Sequence, residues 1–252
     1  MKLIITCFAG RKEYLEIQLK YIIELLNRYE FIERYDIWNF AWNENDVEYV
    51  NSLEELHPKI KVCHSPDYGM ASRGNDIASK QFSHFYSKAY PHNEYKNHMF
   101  LKIDDDVLYI DINRFGNFIK ERLKYPDHFL VSADVVNNQL MDINPSNIHN
   151  NFFKLFPVKR KIEVEDYDTN KRLSINFVTW MGKHLPHIIE EFSNGVGRDD
   201  EIRMCKVIPN KHRLKNVIIK NYNVVHFSFG TQSFDKEEYL KKYKHLCNMI
   251  IS

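Results

Sequence analysis

The sequence has few cysteines and no long apolar run, and each absence excludes a class of protein. The four cysteines, at positions 7, 63, 205 and 247, are scattered without a Cys-x-x-Cys pair. This spacing argues against a zinc site or a disulfide framework and fits a reducing compartment. No stretch approaches the roughly 20 apolar residues that span a bilayer, and residues 1–10 are too short for a signal peptide. The sequence therefore predicts a cytoplasmic protein.

The sequence also has no excess of positive or negative charge. The chain of 252 residues carries 35 Lys and Arg against 34 Asp and Glu, a net charge of +1. No global field draws it to nucleic acid or to an anionic membrane. A cationic cluster at Lys241, Lys242 and Lys244 predicts a polar helix face, or else peripheral contact with a membrane. Aromatic residues make up 14% of the chain, which predicts a ring-rich core or a cleft that stacks flat ligands.

Alternating strand and helix patterns fill the first part of the chain. Short β-rich runs at residues 2–8, 35–40 and 60–63 are separated by helical patterns at residues 13–29 and 45–56. This order is typical of a parallel sheet covered by helices. A helix is next predicted at residues 76–90, and an apolar strand at residues 98–103 runs directly into three aspartates. We therefore predict an α/β fold with a Rossmann-like, mainly parallel central sheet flanked by helices.

The later segments have weaker patterns. They predict a helix at 112–122, strands at 129–133, 175–181 and 217–227, a short helix after an acidic turn within 197–207, and a closing helix at 236–250. Residues 137–172 are polar and without a clear period, and are interpreted as a long loop or a partly ordered insertion. No repeat or low-complexity linker interrupts the chain. We expect one domain over residues 1–252, with a nucleotide-binding part at about 1–110 and an acceptor-binding part at about 111–252.

The three adjacent acids Asp104, Asp105 and Asp106 are the strongest chemical signal. Three neighbouring carboxylates repel one another unless a cation is present. Hard oxygen ligands suit Mg²⁺ or Mn²⁺, which can bridge to phosphate oxygens. The preceding strand places the acids at the edge of the sheet where open α/β sheets bind ligands. The alternative is an acidic turn that caps the next helix.

Four further segments carry candidate residues, and each has a plain structural alternative. Arg73 offers a fork for phosphate or a base edge, and Asn75 beside it is a second ligand candidate or a helix cap. The loop from Thr6 to Arg11 is either a nucleotide cradle or a simple connection. The run Asp199-Asp200-Glu201 supplies a general base or an acidic first helical turn. His226 completes a metal's coordination shell or is an ordinary core histidine.

The ordered set of these segments resembles the GT-A glycosyltransferases. The resemblance rests on the strand and loop at residues 4–11, on Arg73-Gly74-Asn75, on Lys102-Ile-Asp-Asp-Asp106, on the acidic run at residues 199–201 and on His226. The segment at residues 129–138 is similar to the acceptor-side strand and loop of some members, including viral and microbial ones. The resemblance covers most of the chain and implies a GT-A-like fold.

The resemblance also implies roles for individual residues. Asp104 and Asp106 match the two acids of the DxD motif, one near the ribose and one on Mn²⁺ or Mg²⁺, with Asp105 between them. His226 matches a late metal ligand. Asp199 resembles the base of inverting members, and Asp200 is the second candidate for that base.

We therefore expect a metal-dependent glycosyltransferase that moves a hexosyl or pentosyl group, with inversion, from a nucleoside diphosphate sugar to a hydroxyl of a glycan or other acceptor. UDP is the expected nucleotide. Thr6, Arg11, Arg73, Asn75, Asp104 and Asp105 would hold it. One alternative is a sugar-nucleotide nucleotidyltransferase, which releases pyrophosphate rather than a nucleoside diphosphate. The other is a non-catalytic domain that binds carbohydrate or a protein partner.

Overall fold

Strands and helices alternate through the first half of the chain. We describe a computed structural model over residues 1–66, 76–136, 145–156, 160–193, 200–227 and 235–251. The elements of this half are β1 (Leu3–Ala9), α1 (Lys12–Arg28), β2 (Ile32–Asn39), α2 (Glu44–Ser52), β3 (Ile60–Cys63), α3 (Asp76–Lys88), α4 (His92–Tyr95) and β4 (Met99–Asp104). The strands β3, β2, β1 and β4 lie side by side in that order, and all three pairs are parallel.

The second half continues the same sheet with mixed pairing. Its elements are β5 (Val107–Ile110), α5 (Phe115–Leu123), β6 (Val131–Val136), α6 (Pro145–Leu155), β7 (Glu163–Tyr167), β8 (Phe177–Met181), α7 (Leu185–Phe192), α8 (Asp200–Ile202), α9 (Ile208–His212), β9 (Asn216–His226) and α10 (Lys236–Ile251). A π-helical turn at Arg203–Val207 joins α8 to α9. From β4 the sheet runs through β8, β6 and β9 to β5, and β7 pairs with β9.

The sheet curls back on itself, as the link between β4 and β5 requires. Only Asp105 and Asp106 separate the two strands, so this link spans at most about 11 Å. Four positions of a flat sheet, which separate β4 from β5 in the strand order, would span about 19 Å. The curl closes this difference and brings the end of β9, which pairs with β5, beside the end of β4.

Helices cover both faces of the sheet, because successive strand residues point to opposite sides. Along β4, Leu101 and Ile103 pack into one buried cluster with α1, α5 and α10. Phe100, which directly precedes Leu101 and so points to the opposite side, packs into a second cluster with α3, α7 and the segment after Asp200. The core therefore consists of two apolar layers with the sheet between them.

The predicted α/β fold class is confirmed. The pairs among β1 to β4 are parallel, and the described pairs beyond β4 are antiparallel except for the parallel pair of β6 and β9. The predicted strands and helices of the first half match β1 to β4 and their helices within a few residues. Of the two interpretations of residues 137–172, the long loop is wrong, since α6 and β7 lie within this range. The strand β5 was not predicted. Within the described ranges, no helix is long and apolar enough to cross a membrane.

Candidate functional site

A cleft of about 460 Å³ opens where β1 and β4 end. Parallel strands that end together leave their following loops at one edge of the sheet, which is where α/β folds bind ligands. The polar wall is formed by residues from four parts of the chain: Gly10, Arg11, Lys102, Asp104, Asp105, Asn176, Asp200 and Glu201. The apolar wall is formed by Phe8, Phe40, Trp42, Phe82 and Ile175. The cleft therefore combines charged groups with rings that suit a flat, charged ligand.

Arg11 and Asp105 fix the loop after β1 against the turn after β4. Nε of Arg11 donates to both oxygens of Asp105, at 3.1 and 3.2 Å, and its Nη2 also donates to Oδ1. The backbone N–H of Gly10 donates to Oδ2 of Asp105 at 3.0 Å. Only glycine fits at position 10, because a Cβ there would lie 2.9 Å from the carbonyl oxygen of Phe40. Asp105 is thus occupied in holding two loops together.

Asp106 faces two cationic or potentially cationic groups. Its Oδ2 lies 3.0 Å from Nη2 of Arg11, and its Oδ1 lies 3.1 Å from Nε2 of His226. Although burial works against a charge on either partner, Asp106 raises the pKa of His226, and Asp105 and Asp106 raise the pKa of Arg11. The backbone of Asp106 is fixed as well, since Phe227 N–H donates to its carbonyl at 2.8 Å.

One group of side chains in the cleft region has the composition of a metal site. Ligand atoms of Asp104, Asp106 and His226 all lie within 4.8 Å of one another, with Asp106 and His226 buried. Two carboxylates and one imidazole are a donor set that suits a divalent cation such as Mg²⁺ or Mn²⁺. The residues present therefore fit a metal, and Arg11 adds a permanent positive charge beside them.

Asp104 is oriented by three neighbours that the sequence analysis did not select. Nζ of Lys102 lies 2.5 Å from its Oδ1, and the amide of Asn176 donates to its Oδ2 at 2.5 Å. Gln18 donates to its backbone carbonyl at 2.6 Å. Burial opposes a charge on Lys102, but Asp104 and Asp200 raise the pKa of this lysine. Lys102 therefore stays positively charged at the floor of the cleft, with Nζ 5.1 Å from the centre of the Phe8 ring.

Asp200 enters the cleft from the start of α8. Tyr86 on α3 donates a hydrogen bond of 2.8 Å to its Oδ2. Burial raises the pKa of Asp200 to about 6, against the opposing effects of Lys102 and of the Tyr86 hydrogen bond. Its neighbour Glu201 pairs with Arg172, whose guanidinium donates to Oε2 at 2.6 Å through Nε. Asp200 is thus a carboxyl group whose protonation changes near neutral pH.

The aromatic wall is preorganised. The rings of Phe8 and Phe40 are stacked at 4.9 Å, and Phe82 meets the edges of both at 4.8 and 5.2 Å. Trp42 is 46% exposed at the rim. Exposed faces of such rings can stack on a nucleotide base or a sugar.

The structure brings six of the predicted site residues together: Arg11, Asp104, Asp105, Asp106, Asp200 and His226. Arg73, Asn75 and Asp199 lie outside the described residues. Thr6 is fully buried in the middle of β1, between Asp36 of β2 and Lys102 of β4. It is not among the described residues that line the cleft.

Sequence reasoning missed Lys102, Asn176, Gln18 and Tyr86. Lys102 carried a signal, because a lysine in an otherwise apolar strand directly before three acids must find an anionic partner. Asn176 and Tyr86 carried none, since each lies in an ordinary strand or helix pattern more than seventy residues from its partner in the cleft.

Two solved structures share this fold across nearly their whole length. One is the 4-diphosphocytidyl-2C-methyl-D-erythritol synthase from Anaerococcus prevotii, with a TM-score of 0.51 and 10% identity over 97% of this chain and 96% of that one. Another structure of a 4-diphosphocytidyl-2C-methyl-D-erythritol synthase gives a TM-score of 0.50 and 9% identity over 98% and 100%. No protein-family model matches the chain, and no curated protein matches it in sequence. The likeness shows the α/β fold, with a curled mixed sheet flanked by helices.

The predicted enzyme class, an inverting glycosyltransferase, is wrong, because these two structures of the same fold are 4-diphosphocytidyl-2C-methyl-D-erythritol synthases, which are nucleotidyltransferases and not glycosyltransferases. The comparisons give no support to a glycosyltransferase DxD motif. The reason lies in what the motifs report. Glycosyltransferases and nucleotidyltransferases both bind nucleotide phosphates and a cation. A strand-end loop, an acidic turn and a late histidine can serve either class, so these motifs do not distinguish the two.

Proposed function

We propose that the protein is a metal-dependent nucleotidyltransferase, which joins a nucleotidyl group from a nucleoside triphosphate to a phosphorylated acceptor and releases pyrophosphate. The observation that carries the proposal is the group Asp104, Asp106 and His226, of which Asp104 lines a cleft with an aromatic wall together with the buried cation Lys102. The fold of diphosphocytidyl-compound synthases supports the same reaction class.

Two cations suit the phosphates of the donor. Lys102 and Arg11 both line the cleft, on either side of the acidic turn. Arg11 and Lys102 both supply positive charge to this side of the cleft, which favours the phosphates of a nucleotide. Both are held by carboxylates, so their positions are fixed before a ligand arrives. Fixed charges of this kind stabilise charge that develops on a leaving group.

Asp104, Asp106 and His226 would hold Mg²⁺ or Mn²⁺. When bound, such an ion supplies charge neutralisation for the phosphates. His226 must be neutral to act as a ligand, and its partner Asp106 raises its pKa, so protons compete with the metal. Asp105 is assigned a positioning role, because its oxygens are used by Arg11 and Gly10.

The acceptor needs little help from a base in this reaction. A phosphate monoester has a second pKa of about 6, so its attacking oxygen is already ionised at neutral pH. The attacking oxygen bonds to the α-phosphorus, the bond from that phosphorus to the β-phosphate oxygen breaks, and pyrophosphate leaves with the electron pair. Asp200 and Glu201 would instead contact acceptor hydroxyls. We propose that residues 1–110 mainly hold the nucleotide and residues 111–252 mainly hold the acceptor.

Pyrophosphate release tests the proposal directly. The purified chain is incubated with each nucleoside triphosphate, Mg²⁺ or Mn²⁺, and a panel of phosphorylated sugars and sugar alcohols. Pyrophosphate is measured with a coupled pyrophosphatase assay, and the diphosphate-linked product by mass spectrometry. Lys102→Met and Asp106→Asn should each lower the rate by at least roughly 100-fold. Asp111→Asn, whose partner Arg114 lies outside the cleft, is the matched control and should retain the rate.

The proposal fails if no triphosphate and acceptor pair yields pyrophosphate. It also fails if sugar nucleotides are turned over to nucleoside diphosphates under the same conditions.

A further inference from the structure

A second cluster of metal-ligating side chains lies away from the cleft, on the helices that follow β8 and Asp200. It consists of His187 and Glu190 on α7 and His212 at the end of α9. His187 and Glu190 are three residues apart on a helix, so they project from the same face. Ligand atoms of all three residues lie within 4.8 Å of one another.

We propose that His187, Glu190 and His212 form a metal site for a divalent cation that prefers imidazole ligands, such as Zn²⁺. The proposal does not depend on nucleotidyl transfer. Two imidazoles and one carboxylate are a ligand set that Zn²⁺ accepts, with a water molecule as the fourth ligand. Mg²⁺ prefers oxygen ligands, so this cluster and the acidic turn of the cleft should select different metals.

The spacing of the donor atoms supports the proposal. Nε2 of His212 lies 3.6 Å from Oε2 of Glu190, which is too far for a hydrogen bond. Among the described residues, this buried nitrogen has no hydrogen-bond partner. Two ligands at about 2.0–2.2 Å from a tetrahedral zinc ion lie about 3.3–3.6 Å apart. The nitrogen and the oxygen are therefore spaced as ligands of one ion and not as partners of each other.

The two imidazole rings are held close together by the fold. The centres of the His187 and His212 rings lie 4.0 Å apart, with their planes inclined at 32°. The contact between α7 and the segment before His212 is fixed independently, because Arg203 forms an ion pair with Glu191 one residue beyond Glu190. A metal would thus meet two imidazoles that folding has already brought together.

The ammonium group of Lys211 competes with a metal ion for the carboxylate of Glu190. Nζ of Lys211 donates a hydrogen bond of 2.8 Å to Oε1 of Glu190. Lys211 is 45% exposed, so its ammonium can move into water at little expense in free energy. Removing this lysine should therefore strengthen metal binding rather than weaken it.

The site would connect to the cleft through one helical segment. Asp200 and Glu201 line the cleft at the start of α8, and His212 ends the same continuous segment about 18 Å further on. A metal on His212 would fix the far end of this segment to α7. A second connection runs through the end of α7. The ring of Phe192 there stacks on Tyr86 of α3 at 4.3 Å, and Tyr86 donates to Asp200 in the cleft.

Metal binding to the full chain tests the inference without any activity measurement. Chelator-treated protein is titrated with Zn²⁺ by calorimetry and with Co²⁺ by visible absorption, in the Asp106→Asn background, which weakens metal binding at the cleft. The Asp106→Asn protein, in which the cluster is unchanged, should bind Zn²⁺, and its Co²⁺ complex should give the absorption spectrum of a four-coordinate ion. His212→Ala should lose the signal, and Glu190→Gln, at an exposed position, should weaken Zn²⁺ binding by roughly tenfold or more.

Two controls separate the cluster from general histidine effects. His57→Ala removes a histidine outside the cluster, bonded to Asn27, and should leave Zn²⁺ binding unchanged. Lys211→Met should tighten Zn²⁺ binding. The inference is overturned if His212→Ala, folded by circular dichroism, or Glu190→Gln binds Zn²⁺ with the affinity of the parent protein. Identical Co²⁺ spectra in the parent and in His212→Ala would overturn it equally.

Discussion

Nη2 of Arg11 lies 3.0 Å from Oδ2 of Asp106, so a permanent cation already stands beside a carboxylate that we assign to a metal. The same guanidinium binds Asp105. Burial of two adjacent carboxylates without a cation is unfavourable, because neither is solvated and each repels the other. Arg11 therefore stabilises the acidic turn in the absence of a divalent ion, and it shares Asp106 with that ion when one is present.

Replacing Arg11 by methionine should destabilise the metal-free protein. The change leaves Asp105 and Asp106 buried without their cation, which we expect to lower the free energy of unfolding by roughly 2–3 kcal/mol. This is less than for a fully buried pair, since the Arg11 side chain is 29% exposed. Urea unfolding in chelator measures the loss. Mn²⁺ should recover more stability in the variant than in the parent, because it then replaces the missing charge.

Arg28→Met is the control for that experiment. Arg28 pairs with Glu24 on the surface of α1, and such pairs contribute less than about 1 kcal/mol. Equal stabilities of the two variants in chelator would contradict the role given to Arg11.

Asp105 and Asp106 should respond differently to the same substitution, although they are neighbours. Asp106→Asn removes a proposed ligand and should lower Mn²⁺ affinity by about 10-fold to 100-fold, as measured by electron paramagnetic resonance of free Mn²⁺. Asp105→Asn should keep most of the affinity and instead lower stability, because Asp105 binds Arg11 and Gly10. A larger loss of Mn²⁺ affinity in Asp105→Asn would show that the assignment is reversed.

Asp200 predicts a pH dependence of stability. Burial raises its pKa from 3.8 to about 6. A carboxyl with a raised pKa in the folded state destabilises the protein as pH rises from 3.8 to 6, and the effect is complete above that range. Asp200→Asn should therefore raise the free energy of unfolding by up to about 3 kcal/mol at pH 7.5 but only by about 1 kcal/mol at pH 4.5.

Urea unfolding at the two pH values measures this difference. Tyr86→Phe removes a hydrogen bond that lowers the pKa of Asp200, so its own stability should fall most at high pH. A gain from Asp200→Asn that is the same at both pH values would contradict the raised pKa.

Gly182 should not tolerate a side chain. Its N–H donates to the carbonyl of His98 at 2.7 Å, and a Cβ would lie 1.9 Å from the carbonyl oxygen of Tyr95. Gly182→Ala must displace backbone at the end of β8, so we expect a loss of roughly 3 kcal/mol or more, measured by chemical unfolding. Gly116→Ala in α5 is the comparison, because its Cβ meets only the Tyr29 side chain, at 3.2 Å, and its effect should stay within about 1 kcal/mol.

The fold of the first half could be predicted because each element there carries its own pattern. Buried strands such as β1 are continuous apolar runs, and α1 has an apolar face. Two of the elements that were missed, β7 and β5, lack a separate pattern of their own. Most residues of β7, Glu163–Tyr167, are exposed. Among the described strands β7 pairs with β9 alone, so its sequence is not a continuous apolar run. In β5, only four apolar residues follow the acids directly, which is too short a run to predict a separate strand.

The sequence predicted only those site residues whose type and position relative to a strand indicate a chemical role. Acids after a strand and a late histidine do so, and the structure brings Asp104, Asp106 and His226 together. The choice between sugar transfer and nucleotidyl transfer depends on the groups around the nucleotide. Asn176 and Tyr86 reach the cleft through the curl of the sheet and the packing of α3, and neither is visible in a local pattern.

The pairing of β9 has a consequence for the synthesis of the protein. This strand, Asn216–His226, joins β5, β6 and β7, which all precede it in the chain. Until the ribosome has released residue 226, those strands have an edge with unmet backbone hydrogen bonds, and His226 has not yet reached Asp106. A nascent chain that pauses before this point exposes sheet edges that can pair with other chains. Maturation of the cleft therefore waits for β9, and chaperone demand should be greatest just before this strand emerges.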